Sequence, residues 1–212
     1  MPIIVDNIEQ GSKEWHDLRL GVVTASGFSS IITPARCLPS QSAQPYMRRK
    51  LREWLTREEA STFSSEWTRR GTEMEDEARR WYQREIYASP DCVKKVGFVY
   101  LDDRKLVGCS PDALVGSFGG LEIKCPALHT QQEYLRANAV PSKYIAQIQG
   151  SMWATDRDWW DFVSYHPDTD KLLMKVLRDE EYIAKLSSAV NAFVDEMMFK
   201  REQYVNRHIL KG

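Results

Sequence analysis

Three charged residues sit where a packing strand would carry none. In the stretch "GCSPDALVGSFGGLEIKCP", Gly108 to Pro126, Asp112 is followed ten positions later by Glu122, and Lys124 comes two further on. Alternate side chains of a strand share a face, so Glu122 and Lys124 point one way while Leu121, Ile123 and Cys125 point into a core. The turn Gly116–Gly120 folds the stretch into a hairpin that brings Asp112 towards Glu122. Two carboxylates meeting there repel each other and lose water unless a cation lies between them. Mg²⁺ suits the place, with Mn²⁺ as an alternative, because a hard cation takes oxygen ligands and keeps waters and phosphate oxygens in its shell. The Ile123 carbonyl adds one more oxygen, and Lys124 stands where it can orient a water and balance charge on a phosphorane. The same spacing also suits a surface hairpin with an ordinary Glu–Lys pair.

Other residues point towards the same hairpin. In "RRGTEMEDEARRWYQRE", Glu75 and Arg79 share one helix face within the acidic run Glu73, Glu75, Asp76 and Glu77. Glu75 could bind a water or second metal at the hairpin, or belong to a solvated face of i,i+4 pairs. In "YIAQIQGSMWAT", Tyr144, Gln147 and Ser151 fall near one face of an apolar helix. Gln147 could hold a phosphate or water there, or cap a hydrogen-bond network inside the core.

Bulk properties narrow the class. The chain has 212 residues, 42% hydrophobic and 28% charged, which is enough for one ordered domain, 1–212. No apolar run approaches the roughly 20 residues of a membrane helix, and the start "MPIIVDNIEQG" lacks a leader pattern, so a cytoplasmic chain with no membrane partner is expected. Four scattered cysteines without a CxxC pair argue against zinc or iron–sulfur sites. The net charge is −1, but between Pro34 and Arg57 the residues Arg36, Arg48, Arg49, Lys50, Arg52 and Arg57 face only Glu53. Such a block can follow a phosphate backbone or simply be a solvated helix face.

The elements that must position these groups read as helices, then strands, then helices. Ser12 caps a helix over "SKEWHDLRLG", "TASGFSSIIT" makes a second short one, Gln44–Glu59 a basic one and Ser65–Tyr87 a long one. Strands follow at "VKKVGFVYL", "LVGCSPDALV" and "GLEIKCP", then a helix over Pro141–Thr155. Two strands, "WWDFVSYHP" and "KLLMKVL", flank the turn "PDTD", and an amphipathic helix begins at Asp179. The class expected is α/β, a central mixed β-sheet flanked by helices.

"EWHDLRLGVVTAS", "RGTEMEDEA", "CSPDALVGSFGGLEIKCP" and "YIAQIQGSMWAT", in that order over roughly two-thirds of the chain, resemble the lambda exonuclease family of the PD-(D/E)XK nuclease superfamily. The resemblance implies a PD-(D/E)XK fold and a Mg²⁺-dependent exonuclease that digests the 5′ strand of linear duplex DNA. The product is a 3′ single strand for recombination with a single-strand annealing protein. It further implies a ring-shaped homotrimer. Asp112, Glu122 and the Ile123 carbonyl match the metal ligands, Lys124 the catalytic lysine, and Glu75 and Gln147 the helical residues beside the metals. Arg19, Ser26 and Ser110 match the grip on the terminal 5′ phosphate, and Arg48, Arg49, Lys50 and Arg52 are candidates for duplex contact. Asp102 is a weaker match that Asp103 rivals, and Ala113 stands where the family often has Gly. A restriction-type endonuclease and a non-catalytic DNA-end-binding protein are the alternatives, and digestion of linear but not closed circular duplex separates the first from the exonuclease.

Overall fold

A computed structural model describes residues 1–58, 66–86 and 92–208, those at 66–73 and 208 as backbone only. In chain order the strands are β1 Ile3–Val5, β2 Val23–Thr24, β3 Val93–Lys94, β4 Phe98–Tyr100, β5 Val107–Cys109, β6 Ala113–Val115, β7 Gly119–Lys124, β8 Trp159–Ser164 and β9 Leu172–Leu177. The helices are α1 Lys13–Arg19, α2 Ala43–Thr56, α3 Glu66–Ile86, α4 Leu128–Ala137, α5 Ile145–Thr155 and α6 Glu180–His208, with 3₁₀ turns at Ala25–Ser30 and Ser142–Tyr144.

The strands form two mixed sheets flanked by helices, ordered β1-β4-β5-β2 and β3-β6-β7-β8-β9. The α/β class expected from the sequence, mixed β-sheet flanked by helices, holds, and the strands divide between two such sheets. Two stretches that read as continuous strands each cross from one sheet to the other. "VKKVGFVYL" breaks at Gly97, whose missing side chain lets the backbone close on the N-terminal segment: a Cβ there would lie 2.3 Å from the Ile8 carbonyl oxygen. "LVGCSPDALV" breaks at Pro111, which has no N–H to give a ladder. The two crossings are tied together by one side chain, for Gln10 Nε2 donates to the carbonyls of both Val96 and Pro111, each at 2.8 Å.

Helix limits follow local chemistry. Ser12 caps α1 by accepting from the Trp15 N–H, and α2 stops three residues earlier than expected because Arg57 turns left-handed at φ 57°. The ends expected for the long helix, Ser65 and Tyr87, lie outside the described residues. β1, β2 and α4 carry too few apolar repeats to stand out in the sequence.

The middle of the five-stranded sheet is covered on both faces. Met74, Ala78 and Tyr82 of α3 pack on Ala113, Val115, Leu121, Ile123 and Val163. On the other face Leu114, Trp160 and Phe162 join the larger core with Ile148 and Met152 of α5 and Leu186, Val190 and Phe193 of α6. β7 runs parallel to β8, with Glu122 opposite Phe162. A strand buried on both faces normally carries only apolar side chains. Glu122, 2% exposed, is therefore a deliberate exception.

Candidate active site

Asp112 lies just past the Pro111 crossing, and Glu122 and Lys124 lie at the C-terminal end of β7. The Asp112 N–H donates to the Leu121 carbonyl at 3.2 Å, and the Ile123 N–H donates to Asp112 Oδ2 at 2.5 Å, so the hairpin ladder itself locks that carboxylate beside Glu122. Glu122 Oε1 accepts from Gln147 Nε2 of α5 at 2.6 Å and pairs with Lys124 Nζ at 2.5 Å. The Lys124 ammonium lies 5.3 Å from the Tyr144 ring centre. From the opposite face, Arg79 of α3 binds the Asp112 carbonyl through Nε at 3.0 Å and Glu75 through Nη2 at 2.7 Å, and it also pairs with Asp76.

The electrostatics record a crowd of carboxylates. Burial, then the charges of Glu122 and Glu75, push the Asp112 carboxyl well above the ordinary range. Burial also raises Glu75, against the pull of Arg79. Burial alone would lower Lys124, but Glu122 and Asp112 outweigh it and hold the ammonium above its usual value. Lys124 therefore stays an ammonium at neutral pH and can act there only as a hydrogen-bond donor. Among the described residues no three His, Cys, Asp or Glu side chains form a ready metal cage. Two carboxylates and a backbone oxygen nevertheless suit a hard divalent cation, which binds through one or two protein carboxylates and keeps the rest of its shell for water and phosphate. The raised Asp112 is what such a donor pair looks like while its negative charge is unbalanced.

Arg19 and Ser110 meet although 91 residues separate them: Arg19 Nη1 donates to Ser110 Oγ at 2.8 Å. Trp15 Nε1 donates to the same oxygen at 3.1 Å, and the Arg19 guanidinium stacks 4.1 Å from the Trp15 ring centre. With two donors on its oxygen, the Ser110 hydroxyl has its own proton left for an acceptor such as phosphate. Strand register brings Ser26 towards the same end. β2 pairs parallel with β5, Thr24 opposite Gly108, so Ser26 and Ser110 each stand two residues beyond a matched pair. Ser26 is exposed and its Oγ lies 3.2 Å from Thr24 Oγ1.

Other expectations are corrected. Asp102 sits at the far end of the β4–β5 hairpin from Ser110 and is engaged by Arg104, at 2.9 Å, so it does not join Asp112. Lys50 is 6% exposed and pairs inward with Glu53 at 2.8 Å, which removes it from any outward basic face. Arg48, Arg49 and Arg52 are exposed on α2. The Glu73 side chain lies outside the described residues. Trp15 and Gln10 take polar roles that no sequence pattern marks, and the i,i+4 spacing that pairs Arg79 with Glu75 does not show its bond to the Asp112 carbonyl; a tryptophan on an amphipathic helix and a lone glutamine carry no local sign of a partner about a hundred residues away.

A model of the YqaJ-like viral recombinase domain matches residues 14–158. The chain belongs to that family. The match encloses the Arg19–Ser110 contact and the Asp112–Glu122–Lys124 group, and solved structures extend it. LHK-Exo in complex with dAMP is 32% identical with a TM-score of 0.83, over 95% of this chain and 100% of that one. A second structure of LHK-Exo, an alkaline exonuclease from Laribacter hongkongensis, is 34% identical with a TM-score of 0.82, over 94% and 99%. A phage-related exonuclease from Haemophilus somnus 129PT shares the fold, at 18% identity and a TM-score of 0.57 over 85% of this chain and 96% of that one. ExoD of Escherichia coli K12 is 36% identical over 62 residues, which is 28% of this chain and 71% of ExoD. The resemblance to the lambda exonuclease family thus holds, and this member of the YqaJ-like family is a nuclease homologous to alkaline exonucleases. No helix among its described residues is long and apolar enough to cross a membrane.

Proposed function

We propose that residues 1–212 form one nuclease domain, a Mg²⁺-dependent 5′→3′ exonuclease. It digests the 5′ strand of linear double-stranded DNA and leaves a 3′ single strand for a single-strand annealing protein. The observation that carries this reading is the pairing of two sites at one sheet crossing: Ser110, held by Arg19, and Asp112, held beside Glu122, flank Pro111. One site takes a terminal phosphate while the other cuts the bond that follows it. The dAMP held by LHK-Exo supports a deoxynucleoside monophosphate as the released unit.

Asp112, Glu122 and the Ile123 carbonyl would hold Mg²⁺, or Mn²⁺. When bound, the cation supplies Lewis-acid polarisation of the phosphodiester and acidifies a water. The chain's residues do the rest. Gln147 keeps Glu122 turned inward, and Arg79 fixes the Asp112 backbone and Glu75. The Lys124 ammonium orients the attacking water and donates towards charge that grows on the phosphate oxygens. Arg19 offers its planar fork to the terminal phosphate, with Ser110 and Ser26 as hydroxyl donors. The exposed Arg48, Arg49 and Arg52 follow the duplex backbone. As in the family, the working form is a ring-shaped homotrimer acting in the cytoplasm.

A linear duplex labelled on each strand in turn, bearing 5′-phosphate ends, tests the reading with Mg²⁺ and with EDTA. Loss of label from the 5′ strand alone, abolished by EDTA, is expected. Cutting of covalently closed circles, or 3′-strand loss, would refute it.

A further inference from the structure

Arg19 and Ser26 are joined by a short link in which one residue, Gly21, is held from outside. The Gly21 N–H donates to Glu53 Oε2 of α2 at 3.3 Å, and its carbonyl accepts from Arg201 Nη2 of α6 at 2.7 Å. Gly21 has φ +70°, and a Cβ there would lie 2.7 Å from Arg201 Nη2 and 2.9 Å from Trp54 Cβ. Two helices therefore grip a bare peptide at the turn between the two phosphate donors.

The grip comes at a cost to the fold. Arg201 is only 8% exposed. Its Nε is buried without a partner, and no carboxylate pairs with it among the described residues. Its other neighbours are the Met197 and Met198 sulfurs, 3.9 and 3.7 Å away, and the Trp54 ring at 5.2 Å. Glu53 is answered by Lys50, not by Arg201. A buried cation without an anion destabilises a core, and an apolar side chain of similar size is often better tolerated. Packing does not explain Arg201; its bond to the Gly21 carbonyl does.

We infer that Arg201, together with Glu53, is a positioning residue for the 5′-phosphate pocket: by clamping Gly21 it fixes the angle at which Arg19 leaves α1 and Ser26 enters the 3₁₀ turn, so that both face one anion. The inference rests on the reading of Arg19, Ser26 and Ser110 as that pocket. It adds a dependence of end choice on a residue of the last helix, which touches neither DNA nor metal.

The test compares wild type, Arg201→Met and Arg201→Lys on one duplex sequence with 5′-phosphate or 5′-hydroxyl ends. In Arg201→Met the ratio of kcat/KM for phosphate over hydroxyl ends should fall at least about threefold, the scale of one lost hydrogen bond. The fall should come through KM on phosphorylated ends, with hydroxyl-end cleavage unchanged and a melting temperature no lower than wild type. Arg201→Lys keeps a cation without the planar fork and should give an intermediate ratio. In an Arg19→Ala background, Arg201→Met should change the ratio no further, since both act on one phosphate. A wild-type ratio in the folded Arg201→Met protein, or equal losses on both ends, overturns the inference. Should Arg201→Met fail to fold, Arg201→Lys decides: an intermediate ratio supports the inference and a wild-type ratio overturns it. A wild-type enzyme indifferent to the 5′ phosphate removes the pocket itself and the clamp with it, whereas a preference untouched at Arg201 removes the clamp alone.

Discussion

At the scale of the residue, Glu122 concentrates the chemistry on one atom, for Oε1 takes both Gln147 and Lys124. Glu122→Gln keeps the shape and loses the charge, and hydrolysis should fall at least about a hundredfold, the order expected when metal catalysis is disabled. Rates of nucleotide release beside an unchanged circular dichroism spectrum check this. Asp112 offers a readout without activity. Its pKa in the folded chain is raised, so the stability it contributes is fully present below the ordinary carboxylate range and lost as pH rises through the raised value. In EDTA at pH 7, Asp112→Asn should melt higher than wild type, and the gap should close at acidic pH. Added Mg²⁺ should raise the melting temperature of wild type and not of the variant. A variant that melts lower at pH 7 would mean that the repulsion is absent. Arg19→Ala should erase most of a 5′-phosphate preference of about tenfold, because charge-assisted bonds to phosphate are among the strong ones; competition between phosphorylated and hydroxyl ends measures it.

At the scale of the element, the site depends on where strands change sheets. Gln10 spans both crossings with the two protons of one amide, and Pro111 lies between Ser110 and Asp112. Gln10→Leu removes two bonds and should cost about 2 kcal/mol at roughly 1 kcal/mol each, read as a lower urea midpoint at constant slope. Because one amide steadies both sides of Pro111, metal-dependent cleavage and phosphate preference should weaken together. A loss of either one alone would show that the crossings are held independently.

At the scale of the whole molecule, Arg48 and Arg52 are exposed on α2, whereas Arg49 reaches back to within 3.9 Å of Glu53 in the buried Lys50–Glu53 pair. Replacing Arg48 and Arg52 together by Glu should weaken duplex binding at all sequences and flatten the slope of log K against log salt by about one for each phosphate no longer neutralised. Lys50→Met should leave that slope alone. An unchanged slope in the double variant would take α2 off the DNA path. Sedimentation at working concentration should report a trimer, and a monomer would exclude the ring.

The hairpin from Asp112 to Lys124 was legible because its physics is local. A tight turn and strand alternation bring two carboxylates and a lysine together over a dozen residues, and apolar neighbours mark the charges as out of place. Helices with clear apolar repeats were legible for the same reason, and α2, α5 and α6 lie close to where their patterns put them. Tertiary structure decided what depends on partners far along the chain. A Pro and a Gly announce breaks but not that the strand beyond joins another sheet, since that rests on pairings such as Ile4 with Val99 and Lys94 with Leu114. Lys50 reads as one basic residue among several until Glu53 and the packed face of α2 draw it inward. The joining of Arg19 to Ser110, of Gln147 to Glu122 and of Arg201 to Gly21 likewise needs the fold, because an isolated polar side chain carries no mark of its partner until burial removes water as the competitor.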